Sequence, residues 1–328
     1  MNELNPSHQP PCSIIIRAYN EGSHIGRLLD GLAQQSVKDP EIILVDSGST
    51  DDTLEIASHY PVQVVHIQPE EFTFGFSLNR GIAHAHSGLI VVTSAHVYPV
   101  YPDWLESLLA PFTDPQVALA YGKQRGNSFN KYSEQQIFRH WYPDHSQPHQ
   151  PYPFCNNANA AIRRSLWESQ HLDETLPGLE DLDWAHRIME RGFAISYVAE
   201  AEVIHVHEES PRAVYNRYRR EAMAFKRLFP QEGYHLGNLL QNLIANITSD
   251  LWHALQQRQL VGHFVEIFWF RWMQFWGTYR GYRQSGPLTW QLRQTFYYPR
   301  RGNLTFPSLA REISPIQYPE DGSSSSLR

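Results

Sequence analysis

Apolar and polar positions come in blocks along the first two hundred residues. Ser13 begins a short apolar run, "SIIIRA", which ends in the polar loop "YNEG". Ile25, Leu28, Leu29 and Leu32 follow at helical spacing. Ile42 to Val45 make a second run, which ends in "DSGSTDD". Asp51 or Asp52 is placed there to cap a helix over "TLEIASHY". "VQVVHIQP" predicts a third strand, "GFSLNRGIAHAHSG" a helix closed by Gly88, and "LIVVTSAH" a fourth strand. Strands separated by helices predict an α/β fold with a doubly wound, mainly parallel sheet. Ligands of such sheets lie beyond the carboxyl ends of the strands. "RAYNEG", "VDSGSTDD" and "TSAH" should therefore line one crevice.

Further on, "WLESLLAPF" predicts a helix, "QVALAYGKQRG" a strand, and "FCNNANAAIRRSLW" a strand and turn. Residues 126–153 read as loop-rich, with many His, Pro and Tyr. "LEDLDWAHRIMERG" predicts a helix with Gly192 just past its end, and "AISYVAEAEVIHVHE" holds a strand. From Pro211 the chain turns basic, aromatic and helical. The expected division is a flexible N-terminus (1–11), an α/β domain (12–210), a helical appendage (211–301) and an irregular tail (302–328). No internal repeat is visible.

Charge adds an asymmetry to this picture. The chain of 328 residues has a net charge of -7. Residues 1–210 carry 12 basic and 27 acidic side chains, whereas residues 211–301 carry 13 and 4. The overall sign argues against nucleic acid as a partner, while the basic segment fits a phospholipid surface, a diphosphate-linked acceptor, or the acidic part of its own chain. Trp, Tyr and Arg together in "FVEIFWFRWMQFWGTYRGYR" suit a membrane interface, or packing on the catalytic domain or a second copy. Two cysteines allow no disulfide framework. With no apolar signal segment and no apolar run of about 18 residues, the expected location is cytoplasmic, with peripheral attachment to the inner face of a membrane as a variant.

Four segments, "RAYNEG", "VDSGSTDDT", "NRG" and "LEDLDWAHR", in this order, resemble the inverting glycosyltransferases of family 2. The resemblance covers roughly residues 12–210. It implies the GT-A nucleotide-diphospho-sugar transferase fold, Rossmann-like, with a donor of UDP, GDP or dTDP type, a hydroxyl acceptor and a divalent metal. It also implies that Asp46 contacts the nucleoside and that Ala18, Tyr19, Asn20 and Glu21 line the donor site with Ser47, Gly48, Ser94 and Ala95. Physically, Tyr19 can stack on a base, Glu21 can accept from base or ribose, and Arg80 can pair with a phosphate. Asp181, at a helix start, is by resemblance the base that takes the acceptor's proton. Its neighbour Glu180 helps to bind the acceptor.

One departure stands out. Such enzymes carry Asp-x-Asp after the fourth strand, where hard oxygens hold Mn2+ or Mg2+. Here the residues are Ser94, Ala95 and His96. A histidine near "VIHVHEES" completes the metal shell in resembling enzymes, so His96 and His207 are the expected ligands, with His205 behind them. Alternatively His96 bonds the diphosphate directly. Two competing readings are a transferase fold that binds a nucleotide-sugar without catalysis, and a nucleotidyltransferase. The first is disfavoured by the carboxylates of "LEDLDW", and the second by the lack of a glycine cluster in "RAYNEGSHIG".

Overall fold

The computed structural model describes residues 10–284 and 313–318. The α/β part runs β1 (Ser13–Ala18), α1 (Ile25–Ala33), β2 (Glu41–Asp46), α2 (Thr53–Ala57), β3 (Val62–His66), α3 (Phe74–Ala83), β4 (Leu89–Ser94) and β5 (Val97–Pro99). It continues with α4 (Trp104–Leu109), β6 (Val117–Arg125), α5 (Tyr132–Trp141), β7 (Asn159–Arg163), α6 (Arg164–Ser169), α7 (Glu180–Glu190) and β8 (Ala194–His205). Three long helices follow: α8 (Pro211–Leu228), α9 (Leu236–Gln256) and α10 (Leu260–Tyr282).

The eight strands of the described residues form one sheet in the order β3-β2-β1-β4-β7-β6-β8-β5. β3, β2, β1 and β4 are parallel neighbours. β7 lies antiparallel to both β4 and β6, and β5 antiparallel to β8. Successive residues face opposite sides, as strand geometry requires. Ile15, Ile43 and Val45 enter one apolar layer, while Ile14, Ile16 and Leu44 enter the other.

Register places the site. Ala18 is paired with Asp46, and Arg17 with Ser94, so the first, second and fourth strands end together. Thr93 faces Asn159, which brings the loop before β7 to the same edge. Val97 faces His205, and Val206 donates its N–H to the His96 carbonyl (3.1 Å). The turn after β4 is thereby clamped to the end of β8.

Residues 126–153 are loop-rich, yet α5 occupies Tyr132–Trp141 within them. Its buried face is Tyr132, Ser133, Glu134 and Phe138, half of it polar, so no apolar stripe marks it. The three-residue β5 is also new, being too short for a visible alternation. Asp52 does precede α2, but its side chain makes no cap bond; Asp51 accepts from the Thr53 N–H instead (3.1 Å).

α8 starts with Ser210 as cap and Pro211 in the first turn, a favoured pairing. α10 crosses α8 closely, because Gly277 and Gly281 present no side chain to the carbonyls of Tyr215 and Arg219. Ala254 and Ile267 pack with Tyr132 of α5. Among the described residues, no helix is long and apolar enough to cross a membrane. The N-terminus to residue 9 and most of the expected tail lie outside the described residues. Within 313–318 the chain has no regular structure, yet it docks: Ile316 donates to the Val100 carbonyl (3.1 Å) and Tyr318 to that of Pro99 (2.7 Å).

Candidate functional site

Beyond the ends of β1 and β2, two loops hold one another. Asp46 accepts from the N–H groups of Gly48 (3.1 Å) and Ser49 (3.2 Å), and Gly48 takes a φ of 89° that suits glycine. Asn20, also left-handed at 53°, accepts from the Thr50 N–H (2.8 Å) and donates its own N–H to the Ser49 hydroxyl oxygen (2.9 Å). Ser47 bonds back to the Ala18 carbonyl (3.1 Å from its N–H). Asp46 is thus a turn-holding carboxylate at the strand end, with His66 3.6 Å away. Tyr19 is half-buried at the rim, whereas Ala18, Ser47 and Ala95 are buried and form the floor.

Glu21 is placed differently from its expected role. Only 5% exposed, it accepts from His96 Nδ1 at 3.0 Å. It positions the histidine rather than offering its carboxylate outward. His96 stacks on His205 with ring centroids 5.2 Å apart, and His207 lies 6.0 Å from His96 and 4.1 Å from His205. One ring nitrogen from each of the three histidines lies within 4.8 Å of the other two. The structure therefore brings His96 and His207 together, and adds His205.

Each imidazole is held from behind. His205 Nδ1 meets Gln124 Oε1 at 2.7 Å, and His207 Nδ1 meets Glu134 Oε1 at 2.7 Å. Glu134 also receives Arg217 at 2.6 Å and the Asn130 amide at 3.1 Å. Burial alone would push this carboxyl up. The charges of His207 and Arg217 and the bonds from His207 and Asn130 outweigh it and hold the group at about 2. His205 is pushed the other way: burial, then His207, His96, Arg217 and Arg17, keep it far below the usual imidazole range, hence neutral.

The carboxylate of Asp181 stands beside the loop that precedes β7. Leu179, at the start of α7, takes a left-handed φ of 59°, a strained conformation for a residue with a side chain. That turn aims Asp181 at the loop before β7, where it accepts from the N–H groups of Asn157 (3.0 Å) and Leu182 (2.8 Å). Burial and the charge of Glu180 raise its pKa from 3.8 to about 7, against those two bonds and the charge of Arg17. Glu180, 4% exposed, accepts from the Asn157 amide at 3.2 Å. It braces the loop before β7.

Arg80 does not reach this crevice. It is exposed, 6.0 Å over the Phe76 ring, and adjoins Gly81, which packs on Ile15 and Val45 in mid-strand. Arg17, which the sequence reading did not single out, is a cation at the site. Its charge acts on both Asp181 and His205, and it lies 4.6 Å over the Phe74 ring. Arg220 of α8 sits on the same ring at 4.8 Å and beside Gly178, next to the strained turn. The only signal for Arg17 was a charged residue inside a run otherwise apolar.

The residues fit a divalent metal. His205 Nε2 is buried and has no hydrogen-bond partner among the described residues, and three imidazoles, two backed by carboxylates and one by an amide oxygen, are a competent donor set. Glu134, His207 and Glu209 form an adjoining group.

Comparison with known proteins agrees with the fold. Residues 13–169 match the family described as glycosyl transferase family 2. The chain is 30% identical over 223 residues to the O-antigen chain rhamnosyltransferase WbaN of Salmonella anatum, covering 64% of this chain and 70% of that one. The corresponding RfbN of Salmonella typhimurium is 29% identical over 221 residues, with 63% and 69% covered. Among solved structures, a mannosyltransferase from Pyrobaculum calidifontis in complex with GDP-Man and Mn2+ superposes with a TM-score of 0.56 at 19% identity, covering 85% of this chain and 86% of that one.

Proposed function

The chain belongs to glycosyl transferase family 2 and is a glycosyltransferase, and we propose that it moves a sugar, with inversion, from a UDP-, GDP- or dTDP-sugar to an acceptor hydroxyl, with Asp181 as general base. The observation that carries this reading is the position and acidity of Asp181. It stands at the carboxyl edge of the sheet with a pKa raised to about 7. A base poised near the working pH combines adequate ionisation with adequate proton affinity.

In this reading the acceptor's O–H proton passes to the Asp181 carboxylate as the oxygen attacks the anomeric carbon. The bond from that carbon to the diphosphate oxygen breaks on the opposite face, and the electron pair leaves with the diphosphate. Asn157 and the Leu182 N–H fix the carboxylate's direction. Arg17 meets developing negative charge between the base and the histidines. A divalent ion held by His96 and His207 would supply the main neutralising charge for the leaving group. Asp46, with the turn it holds, receives the nucleoside next to Tyr19. The names of the two Salmonella relatives make rhamnose the first sugar to try and a polysaccharide chain the first acceptor. A phospholipid surface is the proposed resting place for the outer face of α9 and α10.

The test is calorimetric titration of UDP, GDP and dTDP, with and without Mn2+, into wild type and Asp46→Ala, followed by assay of the released nucleotide. One nucleotide should bind tightly to the wild type and at least tenfold more weakly to the variant. Turnover should release the nucleoside diphosphate, whereas pyrophosphate would indicate nucleotidyl transfer. Absence of binding by all three would remove the donor-site assignment.

A further inference from the structure

Three features of the histidine cluster act together. Every one of its imidazoles turns Nδ1 toward an oxygen acceptor of the protein: His96 to Glu21, His205 to Gln124 and His207 to Glu134, at 3.0, 2.7 and 2.7 Å. An oxygen acceptor at Nδ1 places the proton of a neutral imidazole there and leaves the lone pair on Nε2. All three rings are thereby set in the same ligand-ready tautomer. Second, the buried Nε2 of His205, on a residue 6% exposed, has no partner among the described residues, although such an atom ordinarily finds one. Third, the carboxylates nearest the cluster, Glu21 and Glu134, are already engaged by histidines, and Glu134 and Glu209 share Arg217. The donors offered to an ion are nitrogens, with acidic groups one bond further out.

We propose that His96, His205 and His207 together make a three-imidazole site selective for a borderline transition ion of the Co2+ or Zn2+ type over Mg2+, with Glu21, Gln124 and Glu134 as its positioning residues. This deepens the donor-site reading, and rests on it for the ion's role. Mg2+ seeks oxygen ligands in a strict octahedron and gives up its water reluctantly. Imidazole favours the later first-row ions, with affinity rising from Mn2+ through Co2+. Replacing the usual pair of aspartates by Ser94 and His96 thus changes the class of ion, not merely the strength of binding. Outer carboxylates keep a dication acceptable beside Arg17 and Arg217. Both ends of the cluster are pinned to different elements: His96 through the β5–β8 pairing, His207 through α5.

The experiment titrates Co2+ into the chelator-stripped full chain, reading visible absorption, then adds Zn2+, Mn2+ or Mg2+ as competitor. The expected result is one equivalent of Co2+ with nitrogen-ligated bands, displaced by Zn2+ and retained in a hundredfold excess of Mg2+. His205→Ala should lower Co2+ affinity at least tenfold, and Glu134→Gln by about 10- to 100-fold, as for other partners of ligating histidines. Circular dichroism checks that each variant folds, and Gln124→Leu serves if His205→Ala does not. Equal competition by Mg2+, or unchanged Co2+ affinity in a folded His205→Ala or Gln124→Leu, would overturn the proposal. Nucleotide binding by calorimetry is read separately. Loss of nucleotide binding with Co2+ binding intact would count against the donor-site reading, while the reverse would count against the three-imidazole site.

Discussion

Asp181 carries two consequences of one shift. Its raised pKa means that the proton is held more tightly in the folded chain, where the group titrates at about 7, than in the unfolded chain, near 3.8. The folded state is therefore favoured most below the unfolded value, and that advantage is lost as pH rises through the folded value. Activity runs the opposite way, since the base must be ionised. Asp181→Asn should lower kcat by about 10^2- to 10^4-fold, while raising Tm at pH 8 and leaving it close to wild type at pH 4. A variant equal to wild type in kcat, or one destabilised at pH 8, would remove Asp181 from this role. The places of Asp46 and His96 at the carboxyl edge were legible in the sequence because each ends or follows a strand, whereas Asp181 was named through the family resemblance. Arg17 was not legible, since nothing in "SIIIRA" tells which face of a strand a lone arginine occupies. Arg80 was misplaced because helical spacing fixes a side of the helix but not its height along the sheet. Glu134 lay in a stretch whose polar composition reads as loop.

At the scale of elements, alternation of strand and helix was sufficient to read β1 to β4 and their parallel order. It failed for α5 and β5, where burial is polar or brief. The same reading left open what the aromatic helices touch. Among the described residues, ten of the thirteen exposed large hydrophobics lie in α9 and α10, including Leu240, Ile244, Trp252, Val261, Phe268 and Trp272. Exposed apolar surface in such quantity marks an interaction site where it is contiguous. Trp272, Trp276 and Tyr279 stack in series along α10, and Arg280 and Arg283 lie over Trp276 and Tyr279. A progression from aliphatic and Phe residues through Trp to Tyr and Arg is that of a segment lying at the boundary between acyl chains and headgroups. With 13 basic against 4 acidic side chains over residues 211–301, the favoured surface is anionic. Vesicles containing about a third phosphatidylglycerol should sediment the wild type, and Trp272→Ser/Phe268→Ser should reduce the bound fraction severalfold. Neutral vesicles should bind less. Absence of sedimentation together with a concentration-dependent dimer that the double variant abolishes would assign the face to a second copy instead.

For the molecule as a whole, the appendage and the histidine site meet in three consecutive residues of α5. Tyr132 donates its N–H to Glu266 of α10 at 2.6 Å, Ser133 its hydroxyl to Asp250 of α9 at 2.6 Å, and Glu134 holds His207. Asp250 is in turn gripped by Arg271 of α10 through two bonds, 2.7 and 2.9 Å, with both side chains buried. Such a pair stabilises weakly compared with an apolar replacement, yet loss of one partner strands a buried charge and costs about 3–5 kcal/mol. Arg271→Met should therefore lower Tm by on the order of 10 °C, and Asp250→Leu/Arg271→Met should recover most of that. If the pair also fixes where α5 lies, the single variant loosens Glu134 and with it the ring of His207. Co2+ affinity should then fall severalfold in Arg271→Met and return in the double variant, although neither residue approaches the histidines. A lowered Tm with unchanged Co2+ affinity would show that the helices stabilise the chain without tuning its site. A parallel fall and recovery would make residues 211–284 part of the catalytic unit rather than an attachment to it.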